Sequence, residues 1–224
     1  MDLEADAAGI GALADDTRRL LYEYVAAQPG PVSREQAATA LGLAQHNVTF
    51  HLERLAEEGL LEVEFRRLSG RSGPGAGRPS KLYRRADREF AVSLPPRQYD
   101  AVGDILAVAV TRAAAGEATL PETLQQAAHE RGHELGVSAG PRATRPLAAV
   151  AEVLGSQGYE PRVTDGDVLL ANCPFDALAQ RHTTLVCGLN RDFVQGVADG
   201  LGCDDVVAAL EPAPGRCCVR ARLR

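Results

Sequence analysis

Long apolar runs are missing from this chain of 224 residues. The longest obvious one, Ile105 to Val110, falls far short of the ~20 residues a membrane span needs, which argues against a membrane protein. The N-terminus, Met1-Asp2-Leu3-Glu4-Ala5-Asp6, lacks the basic start and apolar core of a signal peptide, so a cytoplasmic rather than a secreted protein is expected. Lysine is nearly absent: of 24 basic residues only Lys81 is not arginine. Cysteine is absent from the first 172 residues, and all five cysteines lie between Cys173 and Cys218. In a cytoplasmic chain such clustering suggests metal or redox chemistry more than a disulfide framework. Hydrophobic residues at 45% and charged residues at 24% are the mix of an ordinary folded protein, and the length suits two compact domains.

A formal net charge of −6 argues against wholesale coating of nucleic acid, but the average hides a local inversion. From Arg66 to Arg88 there are eight basic residues and one acidic residue, Asp87, so the segment carries 8 − 1 = +7. It encloses Ser69-Gly70-Arg71-Ser72-Gly73-Pro74-Gly75-Ala76-Gly77-Arg78-Pro79-Ser80. One reading is a solvated loop. The other is a phosphate-contacting loop, because the guanidinium fork matches phosphate geometry.

The residues before that loop favour the second reading. Leu13 to Gln28 has approximately helical apolar spacing and is stopped by Pro29-Gly30-Pro31. Ser33-Arg34-Glu35-Gln36 is a capping box opening a helix to about Leu41. Gly42 supplies a turn, and a second helix is expected from about Ala44 to Glu58, ended by Gly59. Two helices about a glycine turn form the helix-turn-helix pattern. Ala38 is small where the helices approach, and Val48, Leu52 and Leu55 make a buried stripe. Gln45, His46, Asn47, Thr49, His51 and Arg54 then lie on or near the opposite face, with side chains suited to base edges and phosphates. Leu60 to Arg66 and Lys81 to Arg84 read as two strands flanking the basic loop, a hairpin wing that adds Arg71, Arg78 and Lys81 to the DNA-facing set, with Ser33 at the helix start. Phe50 is the exception on the polar face: it contacts a thymine methyl group or packs against the wing.

Thr17-Arg18-Arg19-Leu20-Leu21, Leu43 to Leu52 and Gly77-Arg78-Pro79-Ser80-Lys81-Leu82-Tyr83 resemble the winged-helix regulators grouped with the ArsR-type repressors. The Gly-Arg-Pro…Tyr wing is similar to that of the SufR iron–sulfur regulators. The resemblance covers about residues 12–90.

Arg97 to Ala115 is compatible with a helix carrying apolar residues on more than one face, so it needs cover on several sides, either within one subunit or as the seam of a homodimer. Dimerisation is the favoured role, since such repressors read two half-sites of a palindromic double-stranded operator. Glu122 to Gly136 reads as another helix. Within it, His129-Glu130-Arg131-Gly132-His133 matches the His-Glu-x-x-His pattern of zinc hydrolases. A third ligand is not evident, because the corresponding downstream position is Ala139. A solvent-facing polar pair is the default, and no enzyme is expected.

From Arg142 the pattern becomes a helix (Leu147 to Leu154), two strands about Asp165-Gly166-Asp167, a helical region containing Cys187, and two more strands, Val206 to Leu210 and Cys217 to Leu223. The expected fold is α+β: a winged helix over 1–90, a helical dimerisation or linker region over 91–140, and a small cysteine-containing sensor domain over 141–224. The cysteine gaps are Cys173-x13-Cys187-x15-Cys203-x13-Cys217, with Cys218 adjacent. There is no Cys-x-x-Cys, which weakens the case for thioredoxin chemistry and standard zinc fingers. The thiols could be ordinary packing groups, could pair, or could supply up to four thiolates to zinc or to an iron–sulfur cluster.

The SufR resemblance favours a cluster, 4Fe–4S ahead of 2Fe–2S. Asn172-Cys173-Pro174-Phe175, Leu185-Val186-Cys187-Gly188 and Arg216-Cys217-Cys218-Val219-Arg220 are similar to segments of that wider group, and Cys203 stands where SufR proteins carry an additional cysteine. The resemblance therefore implies Cys173, Cys187, Cys203 and Cys217 as ligands, with Cys218 as packing or a substitute. It implies a repressor that senses cluster status or oxidative stress and controls cluster-assembly genes. The alternatives are a winged-helix regulator responding to zinc, thiol oxidation or a small effector, and, more remotely, a zinc hydrolase using His129 and His133.

Overall fold

The structure is a computed structural model, and it describes residues 3–67, 79–141 and 144–224. The chain forms two compact units, residues 1–92 and 93–224.

The first unit contains α1 (Leu3–Ala12), α2 (Asp16–Ala26), β1 (Val32–Ser33), α3 (Arg34–Leu41), α4 (Gln45–Glu57), β2 (Leu61–Arg66) and β3 (Ser80–Arg85). Asp15 caps α2 by accepting the Arg18 amide at 2.9 Å. The expected capping box is formed: Gln36 N donates to Ser33 Oγ at 3.2 Å, and Ser33 N donates to Gln36 Oε1 at 2.8 Å. Gly42 closes α3 at φ 66°, a left-handed conformation that a side chain would resist. Leu21, Val48, Leu52 and Leu55 are fully buried and, with Val25, Leu60, Leu61 and Tyr83, form one core. The strands make an antiparallel sheet in the order β1-β3-β2, with Tyr83 opposite both Val32 and Val63.

The second unit contains α5 (Tyr99–Ala114), α6 (Leu120–Ala139), α7 (Pro146–Ser156), β4 (Pro161–Val163), β5 (Asp167–Leu170), α8 (Asp176–Arg181), α9 (Thr183–Gly200), β6 (Val206–Leu210) and β7 (Val219–Leu223). The sheet is antiparallel in the order β4-β5-β7-β6. Val168, Leu170, Val206, Ala208, Val219 and Ala221 alternate along their strands into the core, where Phe193, Val194 and Val197 of α9 and Val150 and Leu154 of α7 also lie.

Residues 91–140 are not a separate region, in contrast to the three-part expectation. The α6 and α9 helices approach through glycine: a Cβ on Gly132 would fall 2.0 Å from the Phe193 carbonyl oxygen, and one on Gly196 would fall 2.0 Å from that of His129. Gly136 and Gly200 are equally confined, against the Val197 and His133 carbonyl oxygens at 2.5 and 2.3 Å. Ala127 and Ala128 of α6 join the same core as α9. Backbone lies on backbone, so α5 and α6 belong to the body that carries the cysteines. Among the described residues no helix is long and apolar enough to cross a membrane.

Candidate nucleic-acid interface and thiol group

The outward face of α4 is set by its inward one. Val48, Leu52 and Leu55 are buried, and each residue turns the helix by about 100°. His46, Phe50 and Glu57 therefore point most directly away from the core, with Arg54 and Asn47 towards one side of them, and all five are exposed. Gln45 is also exposed, at the N-terminal turn.

Several expected contacts have partners within the chain. Ser33 is buried and its hydroxyl accepts the Gln36 amide, so its place here is the cap. Thr49 Oγ1 donates to the Gln45 carbonyl at 2.9 Å. His51 is turned toward Asp15, Nδ1 to Oδ1 3.9 Å, with its side chain 16% exposed. Arg54 pairs with Glu57 at 3.4 Å and with Glu58 at 2.5 Å. The wing's cations are similarly engaged: Lys81 with Glu53, Arg84 with Glu62, Arg66 with Glu64 and Arg88 with Asp6. Arg71 and Arg78 lie outside the described residues. Four of the eight cations behind the local +7 thus have carboxylate partners, all of them acids from outside the 66–88 segment.

Glu53 is the functional-site residue that sequence reasoning passed over. It accepts Tyr83 Oη at 2.8 Å and pairs with Lys81, tying α4 to β3. Burial by itself would raise its carboxyl, but the hydrogen bonds from Lys81 and Tyr83 hold it below the usual range. Tyr83 moves the other way: its phenol is pushed up by burial and by the Glu53 carboxylate. The partners are 28 and 30 residues apart, so local spacing carries no sign of them. The only signal is Glu53 itself, an acid on a helix otherwise read as DNA-binding.

In the second unit the structure places Cys173, Cys187, Cys217 and Cys218 in one electrostatic neighbourhood. Cys173 follows β5, Cys187 lies on α9, and the adjacent pair precedes β7. Hydrogen bonding with Cys217, followed by burial, raises the Cys173 thiol, while the same interaction lowers Cys217. Burial and then Cys218 push Cys187 up to about 12. Asn190 fixes Cys217 from the other side: its Nδ2 donates to Cys217 Sγ at 3.2 Å and its Oδ1 accepts the buried Tyr159 hydroxyl at 2.5 Å.

Cys203, expected among the ligands, has different neighbours. Its Sγ lies 4.0 Å from the Pro146 and Leu201 carbonyl oxygens, and burial with the Asp204 charge raises its thiol. Thiols from three elements are suitable donors for zinc or an iron–sulfur cluster. As arranged, however, no group of three or more His, Cys, Asp or Glu side chains among the described residues is placed to hold a metal ion.

His129 and His133 lie along α6 with ring centroids 6.2 Å apart. His129 Nε2 is 2.7 Å from Asp199 Oδ2, so its ring is anchored to α9.

Compared with known proteins, residues 13–64 match a family described as a helix-turn-helix domain. No curated protein and no solved structure matches the chain. The match begins just before α2 and ends within β2, enclosing α3, the Gly42 turn and α4. The chain carries a helix-turn-helix domain, the DNA-binding module of transcription regulators.

Proposed function

We propose that this protein is a homodimeric transcriptional repressor that binds a palindromic double-stranded operator and whose thiol-bearing unit senses iron–sulfur cluster status or oxidative stress. The observation that carries the DNA-binding part is α4, which exposes His46, Asn47, Phe50 and Arg54 outside a fully buried stripe within the matched domain. Dimerisation through α5 is supported by its uncovered apolar side chains: Tyr99, Val108 and Val110 are exposed while Val102, Ile105 and Ala109 face the core.

The sensing part rests on donor chemistry and on the SufR resemblance. Cys173, Cys187 and Cys217 share a neighbourhood with Cys218, so Cys218 competes with Cys203 for the fourth ligand position. The cofactor proposed is a 4Fe–4S cluster, with 2Fe–2S and zinc behind it, and the genes controlled would be those of cluster assembly. No enzymatic activity is proposed.

Iron and acid-labile sulfide measured on anaerobically purified full-length protein test the reading. The expected result is about four of each per chain, and operator binding that changes when the cluster is removed. Zinc with no sulfide would move the reading to a zinc-responsive regulator, and absence of every metal would leave a thiol or effector switch.

A further inference from the structure

Phe50 is the apolar exception on the exposed face of α4, and the DNA-binding reading gives it no defined contact. It is a large apolar side chain, 66% exposed, on a helix whose inward stripe is complete without it. Its ring does not enter the core formed by Leu21, Leu52, Leu55 and Tyr83. Its aromatic neighbour is His51, edge-on with centroids 5.2 Å apart. His51 in turn is directed toward Asp15.

The surrounding groups narrow what Phe50 can meet. Glu53, one turn further on, is occupied by Lys81 and Tyr83 and is not an open acceptor for a cytosine amino group. Thr49 is bonded to its own helix. On the preceding turn, His46 and Asn47 are exposed and polar. The outward face thus offers hydrogen-bonding groups at its N-terminal end and one apolar ring at its centre. In the major groove the thymine 5-methyl is the one apolar group presented by an unmodified base pair.

We infer that Phe50 is a specificity-determining residue whose ring contacts the 5-methyl group of a thymine in each half-site. The inference rests on the DNA-binding reading and assigns one base preference within it.

The test uses full-length protein and a random-sequence duplex pool from which bound sequences are enriched. Each thymine of an enriched duplex is then replaced singly by uracil, which removes only the methyl group. Wild-type protein is expected to lose about fivefold in affinity at one thymine per half-site, at the low end of the effect of a lost base contact. Phe50→Ala is expected to bind the thymine duplex about fivefold more weakly and to bind the thymine and uracil duplexes equally. Because the ring is exposed, the variant should retain the wild-type thermal unfolding curve. A uracil penalty of the same size in Phe50→Ala overturns the assignment, as does a wild type with a clear sequence preference and no uracil penalty. A wild type that enriches no sequence overturns the DNA-binding reading as well, so the two failures are distinguishable.

Discussion

Gly132 shows how one residue can reverse the sign of a familiar effect. Alanine in place of glycine inside an exposed helix usually stabilises by about 0.5–1 kcal/mol. At Gly132 the added carbon would meet the Phe193 carbonyl oxygen at 2.0 Å, an atom that cannot rotate away. Gly132→Ala is therefore expected to destabilise the second unit by about 1–3 kcal/mol, the range for overpacking. Gly188→Ala on α9, where nothing lies within 4 Å of the new carbon, should be neutral or stabilising. Paired urea denaturation curves of the two variants check this. Within the sequence, Gly132 reads as a weak point in a helix, because its partner carbonyl belongs to a residue far along the chain, Phe193. Ser33 illustrates the opposite: its capping box is local, so the helix start is legible, while the same bond withdraws its hydroxyl from the DNA-facing set.

At the scale of elements, helices and strands are the most legible part of the molecule. Hydrophobic periodicity, caps and glycine stops are local, and α2 to α4 and β5 to β7 lie within a few residues of the positions those signals predict. Cross-element pairs are not legible. Arg220 on the central strand β7 is an example. It pairs with Asp167 of β5, Nε to Oδ1 2.7 Å, and with Glu211 just past β6, Nη1 to Oε2 2.6 Å, so one guanidinium joins three strands. Hydrogen bonds from Arg220 hold both carboxyls below their usual range. Carboxyls lowered in the folded state contribute stability above their unfolded pKa values of ~4, and that contribution is lost as pH falls through the lowered values. Arg220→Met should therefore melt below the wild type at pH 7, with the gap closing at about pH 2–3. Circular dichroism melts at the two pH values read this directly. A gap of equal size at both would assign the effect to packing of the arginine stem.

For the whole molecule, composition is informative about division and misleading about charge. The first unit, to residue 92, has no cysteine and the second, from residue 93, has all five. The second boundary, at 140, is absent because the glycine contacts that join α6 to α9 do not depend on hydrophobic pattern. The local +7 overstates the charge available to a polyanion, since Arg66, Lys81, Arg84 and Arg88 are paired. Arg78 is expected to contribute phosphate contact: Arg78→Ala should weaken duplex binding about equally across sequences and reduce the slope of log affinity against log salt by about 1. Titrations across a series of salt concentrations measure it, and an unchanged slope would remove Arg78 from the phosphate set.

The tie from Glu53 to Lys81 and Tyr83 has a consequence for how the reading surface can move. Because α4 is fastened to β3 by these bonds, a tilt of one is expected to carry the other. On the proposed DNA-binding reading the two would adjust to the curvature of a duplex together rather than separately. The domain should therefore behave as a rigid gauge that favours DNA already bent or grooved to fit it, so that operators are sorted by their shape as well as by their bases.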